Sequence, residues 1–178
     1  WEYLPDGNLR QHLRDKAPYA LEDAIDICMQ IANALAAAYS KNLGLSHFNL
    51  KPENIFLQDG RVKLVDFGLY KVLKGTAIYQ CEKDKNNTPP ALFRSALYAA
   101  PERIKTPPQL WQKITKKIFP SFVPPDENEE FPCCSDLYSL GVILFEMLTA
   151  KTPYKANDIL SLVSAQQKEQ LPELKEYN

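Results

Sequence analysis

Lys51, Asn54 and Asp66 are an ammonium, a carboxamide and a carboxylate set on either side of one short segment. His47-Phe48-Asn49-Leu50-Lys51-Pro52-Glu53-Asn54 precedes that segment and Asp66-Phe67-Gly68 closes it. Between them lie two apolar runs, Ile55-Phe56-Leu57 and Val62-Lys63-Leu64-Val65. Gln58-Asp59-Gly60-Arg61 separates the runs, and its Asp-Gly favours a tight hairpin turn. A hairpin brings its two flanks to the same end, so one cation and two oxygen ligands converge there. Mg²⁺ takes oxygen from one or two protein carboxylates or amides and leaves its other positions to water and phosphate. A lysine ammonium neutralises a phosphoryl group in transfer. The spacing therefore fits phosphoryl-transfer chemistry. Asp-Phe-Gly alone is a weak signal, because its glycine can merely mark a turn. Its position at the close of the hairpin is what gives it weight.

Other elements must hold this unit in place. From Leu21 to Tyr39 the apolar positions Leu21, Ala24, Ile25, Cys28, Ile31, Ala32, Leu35 and Tyr39 recur at three and four, which predicts a helix with those residues inward. Glu22 and Asp23 suit its positive end and Gly44 its stop. Leu137 to Leu148 is apolar nearly all round and predicts a helix buried inside the domain. Asp158 to Gln170 predicts a last amphipathic helix. Residues 1 to 4 read as the end of a buried strand, followed by turn chemistry at Pro5-Asp6-Gly7-Asn8. Residues 70 to 135 read as loop-rich, with a short helix near Gln109 to Ile118 and an acidic run from Asp126 to Glu130. The fold class expected is α+β, mainly helical with one short hairpin.

Composition sets outer bounds. The 178 residues amount to about one domain, and 45% apolar with 24% charged residues excludes disorder, collagen and coiled coil. Lys plus Arg number 21 against 22 Asp plus Glu, so no global positive field draws in nucleic acid or acidic membrane. The longest apolar run, Leu140 to Phe145, is far short of the roughly 18 residues a membrane-spanning helix needs. Cys28, Cys81, Cys133 and Cys134 lack paired spacing for zinc or a disulfide framework, which predicts a reducing, intracellular (cytoplasmic) setting. The opening at Trp1 without Met reads as a cut from something longer.

The ordered motifs make the chain resemble the C-terminal lobe of a eukaryotic-type protein kinase. They are a hinge Glu2-Tyr3-Leu4, a catalytic loop from His47 to Asn54, Asp66-Phe67-Gly68, Ala100-Pro101-Glu102, and Ser135-Asp136-Leu137-Tyr138-Ser139-Leu140-Gly141-Val142. The likeness covers nearly all of residues 1–178 as a partial kinase domain. An insert at about 103–132 is the exception, and the N-terminal lobe with its Gly-rich loop and strand lysine lies outside the sequence. The resemblance implies ATP and Mg²⁺ as cofactors, and a protein substrate or regulated protein partner. It implies backbone groups of Glu2 and Leu4 at the adenine, Asn8 near the ribose, Phe56 beneath the adenine and Trp1 at the gatekeeper position. Asp66 would hold a Mg²⁺ that bridges phosphates, Asn54 a second Mg²⁺, and Lys51 the terminal phosphate, with lysine there marking the Ser/Thr-directed branch. Asp136 would brace the catalytic loop, and His47 and Phe67 would pack in the hydrophobic column of the lobe. Ser95 would hydrogen-bond the catalytic loop.

Two departures bear on activity. The family's His-Arg-Asp is here His47-Phe48-Asn49, and a carboxamide cannot take the substrate proton although it still accepts a hydrogen bond. General-base help is worth roughly 10² to 10⁴ in rate, about 3 to 5 kcal/mol of barrier. Phe48 removes the guanidinium that would pair with an activation-segment phosphate, so control through Thr76 or Thr88 is not expected. The expected function is ATP- and Mg-dependent phosphotransfer to protein Ser/Thr, weakened at Asn49. The alternatives are a pseudokinase serving as an allosteric or scaffolding module, and an unrelated helical binding domain in which the five motifs are accidental.

Overall fold

The computed structural model describes residues 3–40, 46–67, 90–101, 134–168 and 171–174. Among them run α1 (Leu9–Lys16), α2 (Leu21–Ser40), a 3₁₀ turn (Pro52–Asn54), β1 (Ile55–Gln58), β2 (Arg61–Leu64), α3 (Pro90–Ala96), α4 (Cys134–Thr149) and α5 (Ile159–Lys168). This is a mainly helical α+β arrangement around one two-stranded antiparallel sheet.

The hairpin forms as its sequence dictates. Ile55 pairs with Leu64, Phe56 with Lys63, Leu57 with Val62 and Gln58 with Arg61. Asp59 and Gly60 take φ of 51° and 72°, the left-handed pair a two-residue hairpin requires. Both outer edges are covered, which removes the liability of unpaired strand edges. On one side the Leu57 N–H donates to the Gly7 carbonyl at 3.2 Å. On the other the Val62 N–H donates to Gln30 Oε1 at 2.9 Å.

α1 is a helix the apolar pattern alone does not announce. Asn8 caps it reciprocally: Asn8 Oδ1 accepts the Gln11 N–H at 3.1 Å and Gln11 Oε1 accepts the Asn8 N–H at 2.8 Å. Gly7, at φ 84°, feeds this cap, and a Cβ there would stand 2.5 Å from Gln11 Oε1. The main core joins Leu9 and Leu13 of α1, Ala24, Ile27 and Ile31 of α2, Leu50, Ile55, Tyr98, and Val142, Ile143 and Met147 of α4. A second cluster packs Ala96 against Tyr154, Leu162, Val163 and Ala165, tying the end of α3 to α5.

Several sequence expectations change. The inward face of α2 is Ala24, Ile27 and Ile31, while Leu21, Ile25 and Tyr39 are exposed. The helix is apolar on more than one face, so period alone does not choose which face meets α4 and β2. Leu137 is exposed on α4, which is therefore buried on one side and not all round. Tyr3 is 85% exposed and neither Tyr3 nor Leu4 lies in a strand. A strand needs a partner, and none flanks them among the described residues. α3 falls within the stretch expected to be loop, whereas the helix expected near residues 109–118 and the acidic run lie outside the described residues.

Candidate functional site

The His47–Asn54 segment is held in shape by α4. Asp136, 3% exposed, accepts the His47 N–H at 2.7 Å on one carboxylate oxygen and the Phe48 N–H at 2.9 Å on the other. Charge-assisted bonds of this kind are among the stronger ones in a protein interior. They hold Phe48 at φ 61°, a left-handed conformation that costs a bulky residue of order 1–3 kcal/mol. His47 is fully buried. Its Nδ1 accepts the Asn49 N–H at 3.3 Å, and its ring lies 4.6 Å from that of Phe67. Burial holds the imidazole below its ordinary pKa of 6.5, with the Asp136 charge pulling the other way. A neutral, packed histidine is a structural part of the loop.

Beyond His47 the chain sets out three polar groups. Lys51 reaches across to α3, where its Nζ donates to Ser95 Oγ at 2.8 Å. Asn54, 6% exposed, donates its amide nitrogen to the Asn49 carbonyl at 2.9 Å, which leaves Oδ1 as its acceptor end. The Val65 N–H donates to the Asn54 carbonyl at 3.0 Å, so the strand pairing continues one step past β1 and β2. Asp66 comes next, exposed and at φ 64°. The hairpin thus delivers an amide oxygen and a carboxylate to its open end, with the Lys51 ammonium three residues before Asn54. One carboxylate, one amide oxygen and room for water are a hard-oxygen donor set of the kind Mg²⁺ accepts. No cluster of three or more His, Cys, Asp or Glu occurs among the described residues, so a dedicated all-carboxylate or thiolate cage is not what this end offers.

The remaining sequence candidates divide. Asn8 and Phe56 meet through a β-bridge at the hairpin's other edge. Asn8 Oδ1 is engaged in capping α1, leaving its amide nitrogen as the group available to a ligand. The Leu4 carbonyl accepts the Gly7 N–H at 3.4 Å. Glu2 and Trp1 lie outside the described residues, as do Gly68, Thr76, Thr88, Glu102 and the segment 103–132. A cavity of about 430 Å³ lined by Asp6, His12, Lys16, Tyr19, Leu57 and Gly60 sits at the turn end of the hairpin, opposite Asn54 and Asp66.

A family model described as the protein kinase domain matches residues 1–177. The chain belongs to the protein kinase domain family. Within it, this chain is 29% identical over 174 residues to a probable serine/threonine-protein kinase PknB of Lactococcus lactis, covering 97% of the chain and 23% of that protein. It is 26% identical over 178 residues to the serine/threonine-protein kinase PrkC of Bacillus subtilis, covering 99% of the chain and 22% of the relative. It is 29% identical over 163 residues to the serine/threonine-protein kinase tousled-like 1 of Caenorhabditis elegans, covering 89% of the chain and 14% of the relative. The chain thus spans less than a quarter of the length of these relatives. Among the described residues no helix is long and apolar enough to cross a membrane.

This kinase-family chain also holds a polar cluster that sequence reading missed. Arg10 of α1 donates Nε to Glu53 Oε1 at 3.0 Å and Nη1 to Glu146 Oε1 at 2.7 Å, and Nη2 bonds the Tyr98 hydroxyl. That hydroxyl donates in turn to Glu146 Oε2 at 2.5 Å. Burial and the neighbouring Glu146 carboxylate push the Tyr98 phenol well above its ordinary range, with Arg10 opposing. Burial acts to lower the Arg10 pKa, but the bond to Glu146 and the charges around it raise it overall. The four residues stand at positions 10, 53, 98 and 146, and no local spacing marks them as partners.

Proposed function

We propose that this chain forms the catalytic-loop half of a protein kinase domain that moves a phosphoryl group from ATP to protein Ser or Thr hydroxyls, with its proton-accepting step weakened at Asn49. The observation that carries this reading is the convergence of Asn54 and Asp66 at the open end of the hairpin, with Lys51 anchored on Ser95. Mg²⁺, when bound, would supply positive charge that neutralises the phosphates. Asn54 Oδ1 and the Asp66 carboxylate are the groups that would hold it. Lys51 places a positive charge where the transferring group develops negative charge, and its bond to Ser95 limits the ammonium to one side of the loop. Glu2 and Leu4 would meet the adenine through their backbone, with Asn8 near the ribose and Phe56 beneath the base. Asn49 orients the substrate hydroxyl by accepting its hydrogen bond and leaves the proton to solvent or phosphate. The names of the bacterial relatives support serine and threonine as acceptors.

A second reading, a pseudokinase that regulates a partner, draws on the same Asn49. The experiment that separates them is Asn49→Asp in the full-length gene product, with radiolabelled phosphate transfer to a generic Ser/Thr protein or to the protein itself as readout. A gain of about 10² supports the kinase reading, since that is the scale of general-base help. No gain alongside intact Mg-ATP binding supports the regulatory one.

A further inference from the structure

We propose that Gln30 of α2 is a positioning residue for the nucleotide-metal end of the site, acting through the hairpin; this rests on the functional reading above. In the Leu57–Val62 pair both amides turn outward, away from the partner strand. The Leu57 amide finds a backbone carbonyl at Gly7, but the Val62 amide has only a side chain, Gln30 Oε1 at 2.9 Å. That bond assigns the oxygen end of the amide to β2. The nitrogen end then faces two acceptors, the Gly60 carbonyl at 3.2 Å and Asp26 Oδ2 at 2.9 Å one helical turn earlier. One carboxamide therefore spans the turn and the first half of β2 and is itself held by Asp26. Only an amide of this length supplies both an acceptor for Val62 and donors for Gly60 and Asp26.

The consequence reaches Asp66 because β2 is four residues long and Asp66 stands two residues past its end. A short strand with an anchored edge sets the direction of the residues that leave it. Without the anchor, β2 keeps its pairing with β1 and the packing of Val62 and Leu64 on the core but loses the hydrogen bond at Val62, and a two-stranded hairpin is marginal enough for that loss to matter. α2 in turn packs on α4, whose Asp136 fixes the catalytic loop that carries Asn54. Gln30 thus links the two metal-facing residues to one rigid helix pair. It touches neither nucleotide nor metal, so its signature is a change in metal dependence and not in nucleotide contact.

The test uses the full-length gene product with Gln30→Leu, which removes all three bonds, and Gln30→Glu, which keeps an acceptor for Val62 but loses both donors and faces Asp26. ATP binding is titrated against Mg²⁺, and amide hydrogen exchange is followed across residues 60–66 without ligand. Gln30→Leu is expected to raise the Mg²⁺ concentration for half-maximal ATP binding by about tenfold, the scale on which outer-sphere partners tune metal affinity. ATP binding without Mg²⁺ should move by less than about twofold, exchange at Val62 should speed up, and Gln30→Glu should fall between. An unchanged Mg²⁺ midpoint in folded Gln30→Leu overturns the proposal, and should that variant not fold, an unchanged midpoint in Gln30→Glu does the same. Failure of the unmutated protein to show any Mg²⁺-dependent ATP binding overturns the functional reading as well, and is recognised because no substitution is involved.

Discussion

Glu53 and Asn54 are neighbours in the chain, yet they belong to polar clusters of opposite character. Glu53 enters a closed cluster in which the Arg10 guanidinium divides its donors among Glu53, Glu146 and Tyr98, and Tyr98 passes a hydrogen bond on to Glu146. Asn54 enters an open one, its amide nitrogen fixed on Asn49, its oxygen left as an acceptor, and the exposed Asp66 next along from the Val65 that bonds its carbonyl. Burial with nearly every group paired, Glu53 Oε2 being the one left without a partner among the described residues, makes a brace between α1, the His47–Asn54 segment, the segment after α3, and α4. Oxygen that the protein does not engage is free to serve a ligand, as the proposed function requires of Asn54. What separates the two is how far the polar groups find their partners within the protein.

The comparison breaks if the closed cluster proves dispensable. Arg10→Ala leaves Glu146, nearly buried, without its cation, and breaking a buried pair in this way costs about 3 kcal/mol. Urea denaturation of the full-length gene product should show that loss. Asp66→Asn, at an exposed position whose left-handed backbone asparagine adopts readily, should change stability by less than about 0.5 kcal/mol. Comparable losses for both would erase the distinction.

Asn49→Asp sharpens the contrast on the chemical side. It adds a proton acceptor to the open cluster and touches nothing in the closed one, so phosphate transfer should rise by about 10² while the urea midpoint stays put. A rise in stability without a rise in transfer would move Asn49 from chemistry to packing.

The smallest effect concerns pH. Burial lowers the His47 pKa below 6.5, so the unfolded chain binds this proton more readily than the folded one. The stability at stake is fully present above 6.5 and is lost as pH falls from there through the lowered folded value. One such proton gives a slope of at most about 1.4 kcal/mol per pH unit. His47→Gln should flatten the stability-pH curve in that window, read from urea midpoints at successive pH values. An unaltered slope would show that another group governs it.

The range of each interaction decides how much of this was legible in the sequence. The hairpin was, because Asp59-Gly60 and two apolar runs are local. So were the long helices α2 and α4, although not which face of α2 turns inward, since Ile25 and Ile27 are equally apolar and only the neighbouring elements choose between them. α1 was overlooked because its signal is the reciprocal Asn8–Gln11 cap and the Leu9–Leu13 pair, a short pattern beside a turn. Lys51, Asn54 and Asp66 could be singled out because one hairpin joins them. Arg10 and Glu146 could not, since they meet their partners across 43 to 136 residues of chain, nor could Gln30, whose bonds to Gly60 and Val62 span 30 and 32 residues.

The most direct test of the central claim is calorimetric titration of ATP into the full-length gene product with and without Mg²⁺, for the unmutated protein and Asp66→Asn. The account predicts that Mg²⁺ tightens ATP binding by about tenfold or more in the unmutated protein, a coupling of ordinary size between two ligands. It predicts that Asp66→Asn abolishes that gain while remaining folded. An Asp66→Asn protein that keeps the full Mg²⁺-dependent gain would contradict the assignment of Asp66 to the metal.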